Sequence, residues 1–328
     1  MKKLYIVSLA CLLVGVGIGY FLGFSYERKV LFNKLDELHP IRESNSAYKF
    51  IDPLLAYVIP SADHNTRLLS IKDKIEKLID SEKNNGLMKA SVFLSDLNRG
   101  RWIGVNENEQ YNPASTLKVV IMVVYLKDAE SNPSILNKNL VYTEELSSIL
   151  KSNQFNSESE LKVEKSYSVD YLINKMIIDS DNGAELLLLD NINNNSLKYI
   201  YSALNIKNPE DFPDNFLISP RTYSLFVRII YSSTYLSKDM SEKAMEILSK
   251  TTFKEGIVAG VPEGTVVAHK FGQFLSTTNT ADGVELHDCG IIYYPDYPYL
   301  LCVMTKGNSL DELKNVIKGI SKITYENY

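Results

Sequence analysis

The run VVIMVVYL, from Val119 to Leu126, is apolar on every side of a helix, and it constrains the fold more than any other stretch of the chain. Propensity alone would also allow a strand, because short apolar runs do not separate the two. Pro113 and the Ser115–Thr116 pair just ahead of the run supply the chemistry of a helix start. A helix over residues 115 to about 129 with no polar face fits only at the centre of a globular body, enclosed by other elements. The chain is therefore expected to build its fold around one buried helix.

The flanking segments say what encloses it. LSIKDKIEKLIDSEKN, residues 69–84, places Ile71, Ile75, Leu78 and Ile79 on one face of an amphipathic helix. ASVFLSDL, the turn residues Asn98, Arg99 and Gly100, and RWIGVN then read as a hairpin. Near the other end, TVVAHKFGQF, VELHDCGIIYY, a PDYP turn and YLLCVMT read as three strands. A last helix opens with Ser309 and Glu312 at capping-box spacing. Strands at both ends of a helical middle predict an α+β fold, with one antiparallel sheet completed by distant segments.

The remaining composition excludes more than it assigns. Of 328 residues, 45% are hydrophobic and 23% charged, as in globular proteins, and the formal charge of −5 argues against a nucleic-acid partner. His39, His64, His269 and His287 are scattered, without zinc-ligand spacing, so no metal and no cofactor is expected. Of the three cysteines, Cys289 and Cys302 fall on adjacent predicted strands but do not read as directly opposed, so two buried thiols are expected.

At the N-terminus, Lys2 and Lys3 precede an uncharged stretch from Leu4 to Phe24, and Glu27, Arg28 and Lys29 restore charge. That stretch is long enough to span a bilayer, and the leading lysines favour a cytoplasmic start. The rival, a cleaved signal peptide, calls for a shorter apolar core and a small-residue cleavage site, neither of which is evident. The expected organisation is a cytoplasmic end at 1–3, a transmembrane anchor at 4–24, a polar stalk at 25–66 and an extracytoplasmic domain at 67–328. Within the stalk, FIDPLLAYVIP has the apolar character of a segment that lies against the folded body.

Three polar clusters interrupt apolar surroundings. Ser115 and Lys118 are i, i+3 neighbours at the helix start, where backbone N–H groups and the helix dipole also point. A neutral lysine there could take the serine's proton, and burial is what depresses a lysine pKa; the plainer account is a helix cap with a snorkelling lysine. Ser180, Asp181 and Asn182 break MIIDSDNGAELLLLD, as a cap or turn also would. Lys270 and Gly272 stand in an apolar strand, where a glycine suggests close backbone approach to a ligand, or simply a bulge.

Taken together, Ser-x-x-Lys, Ser-Asp-Asn and Lys-x-Gly, in that order on a helix, a loop and a late strand, resemble the signature of class A β-lactamases and penicillin-binding proteins. The resemblance covers nearly all of residues 67–328 and implies a β-lactamase-like fold. It implies a serine acyl-hydrolase that opens β-lactams or D-alanyl peptides of peptidoglycan through an acyl-serine. Ser115 would be the nucleophile and Lys118 its base or proton relay, with Ser180 passing the proton to the leaving nitrogen. Asn182 would bind the substrate's side-chain amide, and Lys270 would face its carboxylate. The oxyanion would sit between the N–H groups of Ser115 and Gln273, beside Gly272.

Three departures qualify the resemblance. Phe271 stands where the family has a Thr or Ser hydroxyl. The following strand lacks the family's arginine, leaving His287 as the nearest candidate cation. No glutamate has the family's Ω-loop context; Glu210, Asp211 and Asp214 are the acids available, with Glu210 the candidate deacylation base. Without such a base an acyl-enzyme would persist, as in a penicillin-binding protein, so a non-turnover binder of cell-wall fragments or antibiotics is the alternative.

Overall fold

The computed structural model describes residues 39–42, 48–58, 66–152, 159–211, 216–275 and 283–328. The expected anchor at 4–24 lies outside them; among the described residues, no helix is long and apolar enough to cross a membrane.

Alternation of side chains organises the sheet. Strands β3 (Leu87–Asp96) and β4 (Trp102–Val105) form the predicted hairpin, its turn closed by Asp96 Oδ1 accepting from the N–H groups of Asn98 (3.0 Å) and Arg99 (2.9 Å). The strands β7 (Val267–Leu275), β8 (Val284–Ile292) and β9 (Tyr299–Gly307) complete an antiparallel sheet of order β4-β3-β9-β8-β7. Its central strands are buried on both faces. Along β9, Leu301 and Val303 join the core under helices α1 (Thr66–Glu82) and α9 (Leu310–Asn327), while Leu300, Cys302 and Met304 join the other core. Leu68, Ile71, Ile75 and Ile79 of α1 are all buried against the first face, and Ser309 caps α9 by accepting from Glu312 N–H. A short outlying pair, β1 (His39–Arg42) and β2 (Leu54–Val58), precedes α1.

The second face receives the helical half. Helix α2 (Lys118–Ser131) is buried from Lys118 through Leu126 and again at Ala129, the central helix that its sequence demands. It is enclosed by α4 (Val169–Ile178), α5 (Asn182–Asp190), α6 (Asn194–Ala203), α7 (Pro220–Tyr231) and α8 (Lys238–Ser249). A small sheet of β5 (Asn139–Tyr142) and β6 (Lys165–Ser168), with α3 (Glu144–Ser152) between them in sequence, completes this half.

Two expectations change. The regular helix opens at Lys118, and Ser115 lies in a preceding 3-10 turn, Ala114–Leu117, tightened by Thr116 Oγ1 bonding to Pro113 O at 2.6 Å. Cys289 and Cys302 are not two thiols but a disulfide: the β8–β9 register sets them directly opposite, with an S–S distance of 1.99 Å. The apolar piece of the expected stalk, which opens at Phe50, lies against the body as its sequence suggests. Glu242 of α8 accepts from the N–H groups of Lys49, Phe50 and Ile51 at 2.7–3.1 Å, and Asp52 and Leu54 donate to the carbonyls of Tyr231 and Ser232 at 3.0 Å. The apolar pair Phe50 and Ile51 is buried there.

Candidate active site

The turn carrying Ser115 is held from several sides. Asn112 Oδ1 accepts from Ala114 N–H (2.9 Å), and Asn112 N–H donates to Glu285 of β8 (2.9 Å). His287 Nδ1 accepts from Thr305 N–H, so its other nitrogen, Nε2, is the donor to Asn112 O at 2.9 Å. Tyr223 OH of α7 donates to Thr116 O at 3.1 Å. These ties hold Ala114 at φ +46°, a left-handed conformation that costs a non-glycine residue about 1–3 kcal/mol. Ser180 is held in the same region, at φ +58°. These two of the positive-φ residues sit at the Ser115 turn and at the loop that meets Lys118.

Strand β7 is the sheet edge beside that turn. Gly272 permits the approach: a Cβ there would stand 3.0 Å from Pro113 O, Thr116 N and Thr116 Cγ2. Glycine at this position is thus a requirement of packing against the Ser115 turn. Gln273 follows with its side chain exposed.

The Ser180–Asn182 loop supplies the centre. Asp181 caps α5, its Oδ1 accepting from Ala184 N–H at 2.8 Å, and its carboxylate also takes Ser159 Oγ and Glu160 N–H. That anchoring fixes Ser180 and Asn182 on either side of Lys118, which is fully buried. Its Nζ donates to Ser180 O (2.6 Å) and Asn182 Oδ1 (2.5 Å), lies 3.3 Å from Ser180 Oγ, and pairs with Glu185 Oε2 at 3.4 Å. Lys270, also fully buried, donates to Ser180 Oγ at 2.8 Å. One hydroxyl therefore bridges two buried amines.

Burial lowers the pKa of both amines. Desolvation lowers the Lys118 pKa, opposed by the carboxylates of Glu185 and Asp181. Lys270 is pushed well below the ordinary lysine value by burial and then by the positive charge of Lys118, with Glu185 and Asp288 opposing. The charge of Lys118 thus makes Lys270 easier to deprotonate.

The remaining expected residues divide. Lys118, Ser180, Asn182 and Lys270 meet at one point, but among the described residues no hydrogen bond joins Ser115 Oγ to Lys118. The lysine's donors are taken by the Ser180–Glu185 segment. Glu210 stands apart, half exposed in a 2.9 Å ion pair with Lys198, and is not beside Lys118; Asp211 is exposed next to it, and Asp214 lies outside the described residues. His287, the nearest candidate cation, is fully buried, and both ring nitrogens are engaged within the fold. Phe271 stacks on Phe253 at 4.2 Å, and its ring centroid lies 4.3 Å from Lys270 Nζ, so an aromatic face covers the amine. Glu185 was not singled out in the sequence; its only signal is its place three residues after Asn182, on the same face of α5. Among the described residues no cluster of His, Cys, Asp or Glu could hold a metal ion.

A family model described as "Beta-lactamase enzyme family" matches residues 70–328. The chain belongs to that family. Solved structures agree on the fold. A PBP-A mutant described as an acyl-enzyme complex with penicillin-G is 22% identical, with a TM-score of 0.65, covering 79% of this chain and 96% of its own. TLA-1 extended-spectrum β-lactamase is 22% identical, with a TM-score of 0.67 and coverage of 79% and 98%. A β-lactamase from Chitinophaga pinensis DSM 2588 is 18% identical, with a TM-score of 0.65 and coverage of 78% and 98%. No curated protein matches the chain. At these identities the likeness establishes the β-lactamase-like α+β fold and leaves the chemistry to the residues themselves.

Proposed function

We propose that this protein is a membrane-anchored serine acyl-hydrolase of the class A β-lactamase type, its folded domain outside the cytoplasmic membrane. Its substrates are β-lactams or D-alanyl peptides, opened through an acyl-Ser115 intermediate. The observation that carries this reading is Ser180 Oγ, 2.8 Å from Lys270 Nζ and 3.3 Å from Lys118 Nζ. Such a hydroxyl can accept a proton from one amine while donating its own to a leaving nitrogen, and burial lowers the pKa of both lysines beside it. Lys118 takes the Ser115 proton once its amine is neutral and turns from the Ser180–Glu185 segment. Asn182 and Lys270 bind the substrate, and the N–H groups of Ser115 and Gln273 face the developing oxyanion. The anchor reading rests on the uncharged stretch from Leu4 to Phe24.

Glu210, drawn into its ion pair with Lys198, favours slow deacylation over rapid turnover. The test incubates the full-length protein with a penicillin and follows intact mass over time, with Ser115→Ala as the control. A Ser115-dependent adduct that clears as the drug is consumed is β-lactamase behaviour. An adduct that persists places the protein on the penicillin-binding side. The absence of any adduct with β-lactams or D-alanyl esters overturns the acyl-hydrolase reading and favours a binding module.

A further inference from the structure

Lys118 Nζ faces acceptor atoms only: the Ser180 carbonyl, Asn182 Oδ1 and Glu185 Oε2, with Ser180 Oγ close by. A neutral amine has two N–H groups, and three acceptors engage it fully only as the ammonium. The surroundings offer that ammonium one close carboxylate. Asp181, also at the start of α5, spends its oxygens on Ser159, Glu160 and Ala184. From β7 the neighbour is Lys270, a like charge. Of the elements packed on α5, α4 contributes Lys175, which is already paired with Glu160 and Asp179, and α3 opens with the acids Glu144 and Glu145. Glu185 is therefore the partner that decides the charge on Lys118. It is placed to do so by the Asp181 cap, which sets the register of α5, and it retains a side-chain exposure of 25%.

We propose that Glu185 is the positioning residue for Lys118: it holds the amine as an ammonium against the Ser180–Asn182 loop and sets the pH above which that amine is released to take the Ser115 proton. This rests on the acyl-hydrolase reading for its consequence, but the pairing itself can be measured apart from it. Loss of the carboxylate removes the one close charge that favours the ammonium, leaving burial to disfavour it, with only the more distant Asp181 opposing. The amine must then become neutral at lower pH. The acidic limb of the acylation profile must move in the same direction, because less base is needed to free the amine.

The experiment labels the full-length protein with 13C at lysine Cε and follows Lys118 by NMR through a pH titration, its resonance assigned by its loss in Lys118→Met. The same preparations are then acylated by a penicillin across pH, read by intact mass. In Glu185→Gln the Lys118 midpoint is expected about 1–3 pH units lower than in the wild type, the range for an opposite charge at this distance. The acidic limb of acylation is expected to follow it, while Glu185→Asp, which keeps the charge one methylene further back, moves both by a smaller step. Should Glu185→Gln not fold, Glu185→Asp carries the test by the sign of its own displacement. A midpoint unchanged, or raised, in either variant overturns the proposal, as does an acylation limb that stays in place while the midpoint moves. A Lys118 midpoint that moves in a protein forming no Ser115 adduct at any pH upholds the pairing and instead refutes the acyl-hydrolase reading.

Discussion

Alanine at Gly272 should be felt in both stability and chemistry. The added Cβ would stand 3.0 Å from Pro113 O, Thr116 N and Thr116 Cγ2, so β7 and the Ser115 turn must part by a few tenths of an ångström. Two of the three atoms are backbone, in a turn already tied down through Asn112, His287 and Tyr223, and they cannot swing aside as a flexible side chain would. Overpacking of this kind costs about 1–3 kcal/mol. The catalytic cost is separate. Lys270 sits two residues earlier on the same strand, so moving β7 also displaces its amine from Ser180 Oγ. A 1 Å misplacement of catalytic groups costs on the order of a hundredfold in rate, so a shift of a few tenths should cost about tenfold. Denaturant melts would give the first number, and intact-mass rates of penicillin acylation at saturating protein stability, well below the melt, the second. A Gly272→Ala protein that melts within about 0.5 kcal/mol of the wild type and acylates at the same rate would show that β7 does not brace the Ser115 turn.

Phe271→Thr should raise penicillin acylation about tenfold, by restoring one hydrogen bond to a charged carboxylate and uncovering Lys270. The gain should vanish with the penicillin methyl ester; equal gains for acid and ester would refute carboxylate recognition at this position. Glu242→Ala should destabilise the fold by about 1–3 kcal/mol and speed hydrogen exchange at Lys49, Phe50 and Ile51, whose N–H groups lose their acceptor; unchanged exchange would mean the docked segment is held by its side chains alone. Cys289 and Cys302 are 1% and 0% exposed, so in a Cys11→Ser protein reductant and alkylator should add no mass in the native state and two labels in the denatured one; labelling of that native protein would contradict the disulfide or its burial.

The sheet was legible because its strands announce themselves locally. Leu300 to Met304 alternate between two cores and read as a strand from any direction, and Asn98 to Gly100 mark their own turn. Register was not legible in the same way. Whether Cys289 meets Cys302 depends on how the six residues between β8 and β9 close, and one step in either direction would have turned the sulfurs to opposite faces. Lys118, Ser180 and Lys270 were legible as motifs, because each is a polar residue in apolar company. Glu185 was not: a glutamate in the first turn of a helix is ordinary, and only the fold reveals which buried charge it meets. His287 misled for the opposite reason. Its charge was inferred from its type, while its two ring nitrogens are committed to Asn112 and Thr305.

The strand order carries a consequence in time. β3 pairs on one side with β4, its neighbour in sequence, and on the other with β9, which ends only twenty-one residues before Tyr328. The turn that holds Ser115 is fastened by His287, 175 residues beyond Asn112. During synthesis the Ser115 turn is thus made long before the β8 residues Glu285 and His287 that tie it to the sheet. A chain arrested before β8 contains Ser115, Lys118, Ser180 and Lys270 yet lacks the Glu285 and His287 ties to the turn and the strand on which β7 pairs. Contacts this distant must be closed late, at an entropic cost that nearby pairs do not bear. The protein should therefore remain chemically silent until its final strands arrive, however completely its motifs have already been written.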